Sequence, residues 1–265
     1  MVMKIMYRHY ALTDLHGMGK LWDQIKDYCD ETDVIYFLGD ATDRGLEGLR
    51  ILHELLLDKR VIFIKGNHED IMEKAIPHIM KYHFGNEVSF WLQNGGQPTM
   101  EAFNELSEKS QYWFYHQLNQ LPNYLIYKNT EGQEILLSHA GTDPIDPWDL
   151  DKMPNRYDES PWQWDRNHFY SIWDTDPKWQ NTWIIHGHTP VPYVIKRVNN
   201  ADSWFDRKPT FKEPWDENIL VYADGHKIDL DLASFSTGRI ALFDLDRMRV
   251  EKYFETEVEN IDRTR

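Results

Sequence analysis

Five short apolar runs in this chain stop in the same way, in polar residues beside a glycine, and that repetition constrains the fold more than any other feature. Val34–Leu38 leads into Gly39-Asp40-Ala41-Thr42-Asp43-Arg44-Gly45. Tyr10–Thr13 leads into Asp14-Leu15-His16-Gly17, and Val61–Ile64 into Gly66-Asn67-His68-Glu69. Ile135–Leu137 precedes His139-Ala140-Gly141, and Trp183–Ile185 precedes His186-Gly187-His188-Thr189. Runs of this length read as buried strands. A strand interior has no use for such charge, so the Asp, Asn and His residues belong to the turns beyond the strands. In open α/β sheets, ligands bind in the crevice outside the carboxyl ends of the strands. Five coincident ends place these side chains in one crevice.

The stretches between the runs set the architecture. Leu21–Asp30 carries apolar residues at helical spacing, and Leu46–Leu57 puts Leu49, Leu52 and Leu56 on one face. Strands alternating with helices predict βαβ units and parallel pairing. Met3–Leu12 is expected to be the first strand. Ile71–Phe84 reads as a helix with a possible kink at Pro77. Asn94-Gly95-Gly96 is a break, and Pro98–Leu106 and Ser110–Gln120 read as two more helices. Thr130-Glu131-Gly132 predicts a hairpin turn between Tyr124–Lys128 and Gln133–Ser138. Ile219–Ala223, Lys227–Leu232, Arg239–Asp244 and Arg249–Phe254 read as closing antiparallel strands. The reading is one domain over 1–265, interrupted by an irregular Trp/Asp/Pro-rich insertion at 142–182 and a polar one at 199–218. Loops that long are usually functional. Most of the eleven tryptophans fall between Trp148 and Trp215, where packing is the expected role.

Composition excludes several classes. With one cysteine, Cys29, the chain can form neither an internal disulfide nor a cysteine metal cluster. No apolar run approaches the ~20 residues that span a bilayer, and the first residues lack the apolar core of a secretory signal. The expectation is a soluble cytoplasmic protein with no membrane partner. The net charge of −15, without a basic stripe, argues against nucleic acid. Any phosphate must then be attracted by a local positive site.

The strand-end residues can build such a site. Asp14 and His16 can face one cation from a tight turn, and Asp40 can bridge to a second through its two oxygens. Asn67, His139 and His188 can complete the second ion. Mixed oxygen and nitrogen donors without thiolate suit Mn, Fe, Zn, Ni or Co better than Ca or Mg. Two such ions clamp a phosphoryl group and activate water. Their charge exceeds that of Asp14, Asp40 and a hydroxide, and Arg44 adds its fork for phosphate oxygens. His68, next to Asn67, suits a general acid for the leaving alkoxide, with Asp43 to orient it.

These motifs together resemble the calcineurin-like metallophosphoesterases, and within them the phosphoprotein phosphatase branch in its bacterial and phage forms. That pattern reads G-D-x-H-G, G-D-x-x-D-R-G, G-N-H-E and two separated histidines, and the match runs in order from Asp14 to His188. The resemblance implies an α/β fold of two packed mixed β-sheets flanked by helices, a four-layer sandwich. It implies that Asp14, His16 and Asp40 bind one metal, and Asp40, Asn67, His139 and His188 the other. The expected cofactors are two divalent ions, manganese first, with iron, zinc, nickel or cobalt as alternatives. Arg44 is expected on the phosphate and the Asp43–His68 pair on the leaving group. Arg166, in Trp164-Asp165-Arg166, is the candidate for the family's second arginine. His186 has no metal role in this branch and reads as a supporting residue.

The implied activity is hydrolysis of a phosphomonoester by a metal-bridging hydroxide, as in serine/threonine protein phosphatases, on a phosphorylated protein or a small phosphate ester. The alternative is a dinucleoside polyphosphate hydrolase. An inactive scaffold of the same fold is a third reading, opposed by the complete ligand set. Two departures stand out. Thr13 replaces the glycine that opens the first motif, and Ile228-Asp229-Leu230-Asp231 replaces a closing I-D-x-G.

Overall fold

The structure, a computed structural model, describes residues 7–141, 161–166, 169, 182–199 and 218–258. The chain begins with β1 (His9–Leu12), α1 (Gly19–Tyr28), β2 (Val34–Phe37), α2 (Gly48–Leu57) and β3 (Val61–Phe63). Four helices follow: α3 (Asn67–Ile79), α4 (Asn86–Gln93), α5 (Gln97–Asn104) and α6 (Glu108–Asn119). The hairpin β4 (Tyr124–Lys128) and β5 (Glu134–Ser138) leads to α7 (Pro161–Trp164), β6 (Thr182–His186) and α8 (Val191–Asn199). The last elements are β7 (Leu220–Tyr222), β8 (Lys227–Asp229), α9 (Ser234–Thr237), β9 (Arg239–Asp244) and β10 (Arg249–Glu255).

Two five-stranded sheets form, in the orders β10-β9-β1-β2-β3 and β4-β5-β6-β8-β7. Alternation along the strands explains their packing. Tyr10, Leu12, Ile35 and Phe37 point one way, into a cluster with Trp22 and Ile25 of α1, Leu52 of α2, Met72 and Ile76 of α3, and Trp91 and Phe103. Ala11, Tyr36 and Leu38 point the other way. They meet Ile135, Leu137, Ile185 and Ile228 of the second sheet, so this cluster lies between the sheets. The far face of the second sheet is covered by Trp162 against Leu136 and Ile184, and by Val191 and Val194 against Leu220 and Tyr222. Both sheets are mixed and the layers number four, as the resemblance implied. Burying each such side chain contributes about 1.5–3 kcal/mol.

Three parallel strands of the first sheet, β1, β2 and β3, end side by side. In the second sheet β5 and β6 are parallel and adjacent. Backbone bonds join the ends: Asp14 N–H to Gly39 O at 3.0 Å, and Gly187 N–H to His139 O at 2.8 Å.

Several expectations need correction. The four closing strands pair antiparallel with one another as read, β7 with β8 and β9 with β10; what was not expected is that β8 also pairs parallel with β6. All three residues of β8 are buried, the environment parallel pairing requires. The two terminal hairpins also belong to different sheets. The helix expected at Ile71–Phe84 begins at Asn67, because Glu69 accepts the Gly66 N–H at 3.0 Å and caps it. It ends at Ile79, so Pro77 falls in its last turn. Helices α4 and α8 were not expected at all, and the short α7 lies inside the stretch read as irregular. The first strand starts at His9; the expected residues Met3–Met6 and most of 142–182 and 199–218 lie outside the described residues. No helix among the described residues is long and apolar enough to cross a membrane.

Candidate metal centre

The polar residues turn sharply out of the strand ends. Asp14 (φ 56°), His16 (44°), Asp40 (62°), Asp43 (69°), Arg44 (64°) and His188 (71°) all adopt left-handed backbone. Each such non-glycine residue costs about 1–3 kcal/mol and persists only where its surroundings fix it. Here the loops lock each other. His16 N–H bonds Asp40 O at 2.9 Å, Gly45 N–H bonds His16 O at 3.0 Å, and Gly17 N–H bonds Ala41 O at 3.0 Å. Close approach dictates glycine at two places: a Cβ on Gly66 would run into the Asp40 carboxylate, and one on Gly187 into that of Asp14.

The six expected metal ligands converge. Asp40 stands in the middle, with Oδ2 3.5 Å from His16 Nε2 and Oδ1 3.4 Å from His139 Nε2. Asp14 Oδ1 lies 3.7 Å from the same His16 nitrogen. Asn67 Oδ1 is 2.9 Å from His139 Nε2 and 2.9 Å from His188 Nδ1. Backbone carbonyls fix two imidazoles: His16 Nδ1 faces Thr42 O at 3.1 Å and His139 Nδ1 faces Leu38 O at 2.7 Å. Both rings therefore turn Nε2 inward, the arrangement a metal-ligating histidine needs.

The donor set fits divalent cations. Two buried groups, His16–Asp40–His68 and Asp40–His139–His188, each offer donor atoms within 4.8 Å of one another, and they share Asp40. His68 enters the first group where Asp14 was expected, while Asp14 approaches it from the His16 side. Asp14 Oδ1 is buried with no hydrogen-bond partner, whereas Oδ2 accepts the Thr13 hydroxyl at 2.6 Å and the His188 N–H at 3.1 Å. An orphaned carboxylate oxygen among imidazole nitrogens is a group that a cation would satisfy.

The electrostatics agree. Burial alone would raise the Asp40 carboxyl, but His139 and His68 outweigh it and hold it well below the usual range. Burial opposes a charged His139, yet Asp40 and Asp14 prevail and lift it to about 9. Burial pushes Asp14 up to about 6, against partial relief from His139. Burial, with Arg44 for His16 and His139 for His188, holds those two imidazoles well below their ordinary value. The cluster thus holds anionic oxygens, one readily protonated imidazole and two neutral ones around a common centre.

The other expected residues surround it. His68 Nδ1 is 2.7 Å from Asp43 Oδ2, and both side chains are buried. Arg44 Nη2 lies 3.1 Å from His68 Nε2. Arg166 reaches the opposite side, where its Nε donates to His188 Nε2 at 3.1 Å. His186 stays out of both groups: Nε2 pairs with the Tyr222 hydroxyl at 2.7 Å, and burial lowers it to about 3. Of the described tryptophans in the aromatic-rich region, Trp162 stacks on Tyr124 with ring centroids 4.5 Å apart and Trp183 on His226 at 5.2 Å. Trp164 stands 6.1 Å from His188 and 6.1 Å from Phe90, beside the site.

Glu69 ends the third motif and was assigned no role there. It is fully buried and accepts the backbone N–H groups of Asp40, Ala41 and Gly66 at 2.8, 2.9 and 3.0 Å. Its position three residues after a helix-opening glycine was the available signal. Thr13, noted only as a departure, tethers Asp14. Ser234 was missed; its hydroxyl bonds the backbone oxygens of Asp14 and Leu15. Asp231, in place of the family's glycine, is buried, and burial with Asp14 nearby pushes it well above the usual range.

The sequence profile of the calcineurin-like phosphoesterases matches residues 7–228. The chain belongs to that family. It is a hydrolase fold of the metallophosphoesterases, and its curated relatives within that superfamily divide by substrate. The chain is 24% identical over 222 residues to the asymmetrical bis(5'-nucleosyl)-tetraphosphatase PrpE of Halalkalibacterium halodurans, covering 72% of this chain and 82% of the relative. It is 26% identical over 205 residues to serine/threonine-protein phosphatase 2 of Salmonella typhimurium, covering 73% and 85%. Among solved metallophosphoesterase structures, a putative diadenosine tetraphosphatase superposes with a TM-score of 0.55 at 13% identity, over 96% of both chains, which supports the fold.

Proposed function

We propose that this protein hydrolyses phosphoric esters and anhydrides at a two-cation centre and that its substrate is a dinucleoside polyphosphate. The observation that carries the reading is Asp40, whose two oxygens face His16 on one side and His139 on the other. Asp14, His16 and Asp40 would hold one ion, and Asp40, Asn67, His139 and His188 the second. Divalent ions bound there supply Lewis acidity toward the phosphoryl group and lower the pKa of water. Arg44 and Arg166 reach the site from opposite sides and hold the phosphate oxygens through their forks. His68, with Nδ1 on Asp43, presents Nε2 to the leaving oxygen and donates its proton.

The nucleotide substrate is supported by the relatives that align over most of their length, several of which are named as tetraphosphatases. It is also supported by a cavity of about 260 Å³ that begins at Gly17 and Gly45, one residue beyond His16 and Arg44. Met18, Leu46 and Phe235 give it apolar walls and Lys20 and Glu47 polar edges, which suits one base-sized ring system. A phosphoprotein substrate is the second reading. It is favoured by the His68–Asp43 pair, because an alcohol leaving group needs a proton more than a nucleotide does. With a net charge of −15, no nucleic-acid partner is expected.

The test is a direct competition. Protein loaded with Mn²⁺ is given diadenosine tetraphosphate, a phosphoserine peptide and p-nitrophenyl phosphate, with products separated by chromatography. A higher kcat/KM for diadenosine tetraphosphate is expected. A preference for the peptide would replace the first reading by the second, and no turnover of any of them with two ions bound would remove both.

A further inference from the structure

Behind His68 lies a buried arrangement that the steps above leave unused. Helix α4 carries Trp91, whose indole is fully buried. Its Nε1–H donates to both oxygens of Asp43, at 3.0 and 3.0 Å, and Asp43 Oδ2 faces His68 Nδ1 at 2.7 Å. The same segment grips the backbone of the Asp43–Arg44 turn. The Asp43 N–H donates to Thr99 Oγ1 at 2.9 Å, and the Arg44 N–H donates to Gly95 O at 2.9 Å. Gly96 makes room for the indole, since a Cβ there would collide with the Trp91 ring. Residues 91–99 thus form a bracket around a turn held in left-handed backbone.

We propose that Trp91 is a positioning residue for the leaving-group proton, acting through Asp43 on His68. The inference rests on the reading of His68 as the group that protonates the leaving oxygen. A carboxylate turns easily about its last bond, and an imidazole about its second torsion, because both are broad, two-fold rotors. One N–H shared by both Asp43 oxygens pins the carboxylate plane. Oδ2 then holds His68 by Nδ1–H and turns Nε2 toward the site beside the Arg44 guanidinium, 3.1 Å away, which must shift onto the phosphate for Nε2 to carry its proton. In the step, a hydroxide oxygen bonds to phosphorus as the bond to the leaving oxygen breaks; the electron pair of that bond stays on the leaving oxygen, which takes the Nε2 proton. His68 ends neutral, still donating Nδ1–H to Asp43. Trp91 and Asp43 neither gain nor lose a proton.

The decisive variant replaces Trp91 with benzothienylalanine, which keeps the bicyclic shape and puts sulfur where the N–H was; Trp91→Phe is the genetic companion. Protein reconstituted with Mn²⁺ is assayed on phenyl phosphate, p-nitrophenyl phosphate and diadenosine tetraphosphate, alone and combined with His68→Asn. General acid catalysis contributes about 10²–10⁴-fold; loss of positioning should remove about 10-fold of kcat with KM changed less than about 2-fold. The loss should be greater for the poorer leaving group, phenol, than for p-nitrophenol. On the His68→Asn background nothing further should be lost, because residues acting through one another are non-additive. Equal losses on both backgrounds, or no loss, would overturn the role of Trp91. Full activity in His68→Asn with Trp91 intact would instead remove His68 as the acid. A readout free of turnover accompanies the kinetics: Asp43→Asn should shift the Trp91 indole N–H resonance, and an unmoved resonance counts against the bond.

Discussion

The two halves of the site are built differently. The first sheet supplies Asp14, His16, Asp40, Asp43, Arg44, Asn67 and His68 from three neighbouring turns; backbone bonds between 39 and 14, 40 and 16, and 16 and 45 tie the first two, and the Glu69 and Asp40 carboxyls tie the third to them. The second sheet supplies His139 and His188, with Arg166 from α7's flank, and these reach the first half mainly through Asn67, Asp40 and Asp14. One half is a frame held mainly by bonds among its own turns. The other is a pair of side chains lowered onto it. The lesson is that loss of a residue should propagate in the first half and stay local in the second.

Asp40→Asn should have the largest effect, because the charged carboxylate serves both halves. Metal analysis should find neither site filled at concentrations that saturate the wild type, with affinity lower by at least about 100-fold. Retention of both ions would dissolve the distinction between bridge and arm. His188→Gln should come next: about one ion per chain is lost, the other stays, and the melting temperature of the metal-free protein barely moves. Loss of both ions there would show that the second half is not local.

Glu69→Gln sharpens the frame side of the comparison. The carboxyl that accepts from three buried N–H groups becomes an amide without touching the proposed ligands. Denaturation should show a loss of about 1–3 kcal/mol, while an equally truncated His188 shows almost none. The smallest effect belongs to Thr13→Val, which removes the hydroxyl that tethers Asp14 Oδ2. Affinity for the ion assigned to Asp14, His16 and Asp40 should fall about 10-fold, with stability close to wild type. Calorimetric titration decides it, and unchanged affinity would reduce the tether to packing.

Most of the site was legible because its residues sit at the ends of apolar runs, and that signal is local. The four-layer architecture came from the family resemblance that motifs spread along the chain carry, and the alternation of strands and helices gave the parallel pairing. What escaped was long-range. Trp91 bonds a carboxylate 48 positions earlier, and no periodicity in Asn86–Gln93, flanked by Gly85 and Gly95, announces that contact. The parallel pairing of β8 with β6 spans a long gap in sequence, and the neighbouring apolar runs announce only the hairpin that β8 also makes with β7. Ser234 closes onto Asp14 across 220 positions. Nothing in a serine's immediate neighbours states such a partner.

The left-handed residues carry an implication for engineering. Six side chains needed at the site sit on backbone that glycine tolerates better than they do. Selection of variants for heat resistance alone would therefore reward replacing Arg44 with glycine, relieving the main chain while discarding the function. A library screened only for folding would drift toward a sturdier and silent protein. Any campaign to harden this molecule should hold those six positions fixed and look for its gains elsewhere.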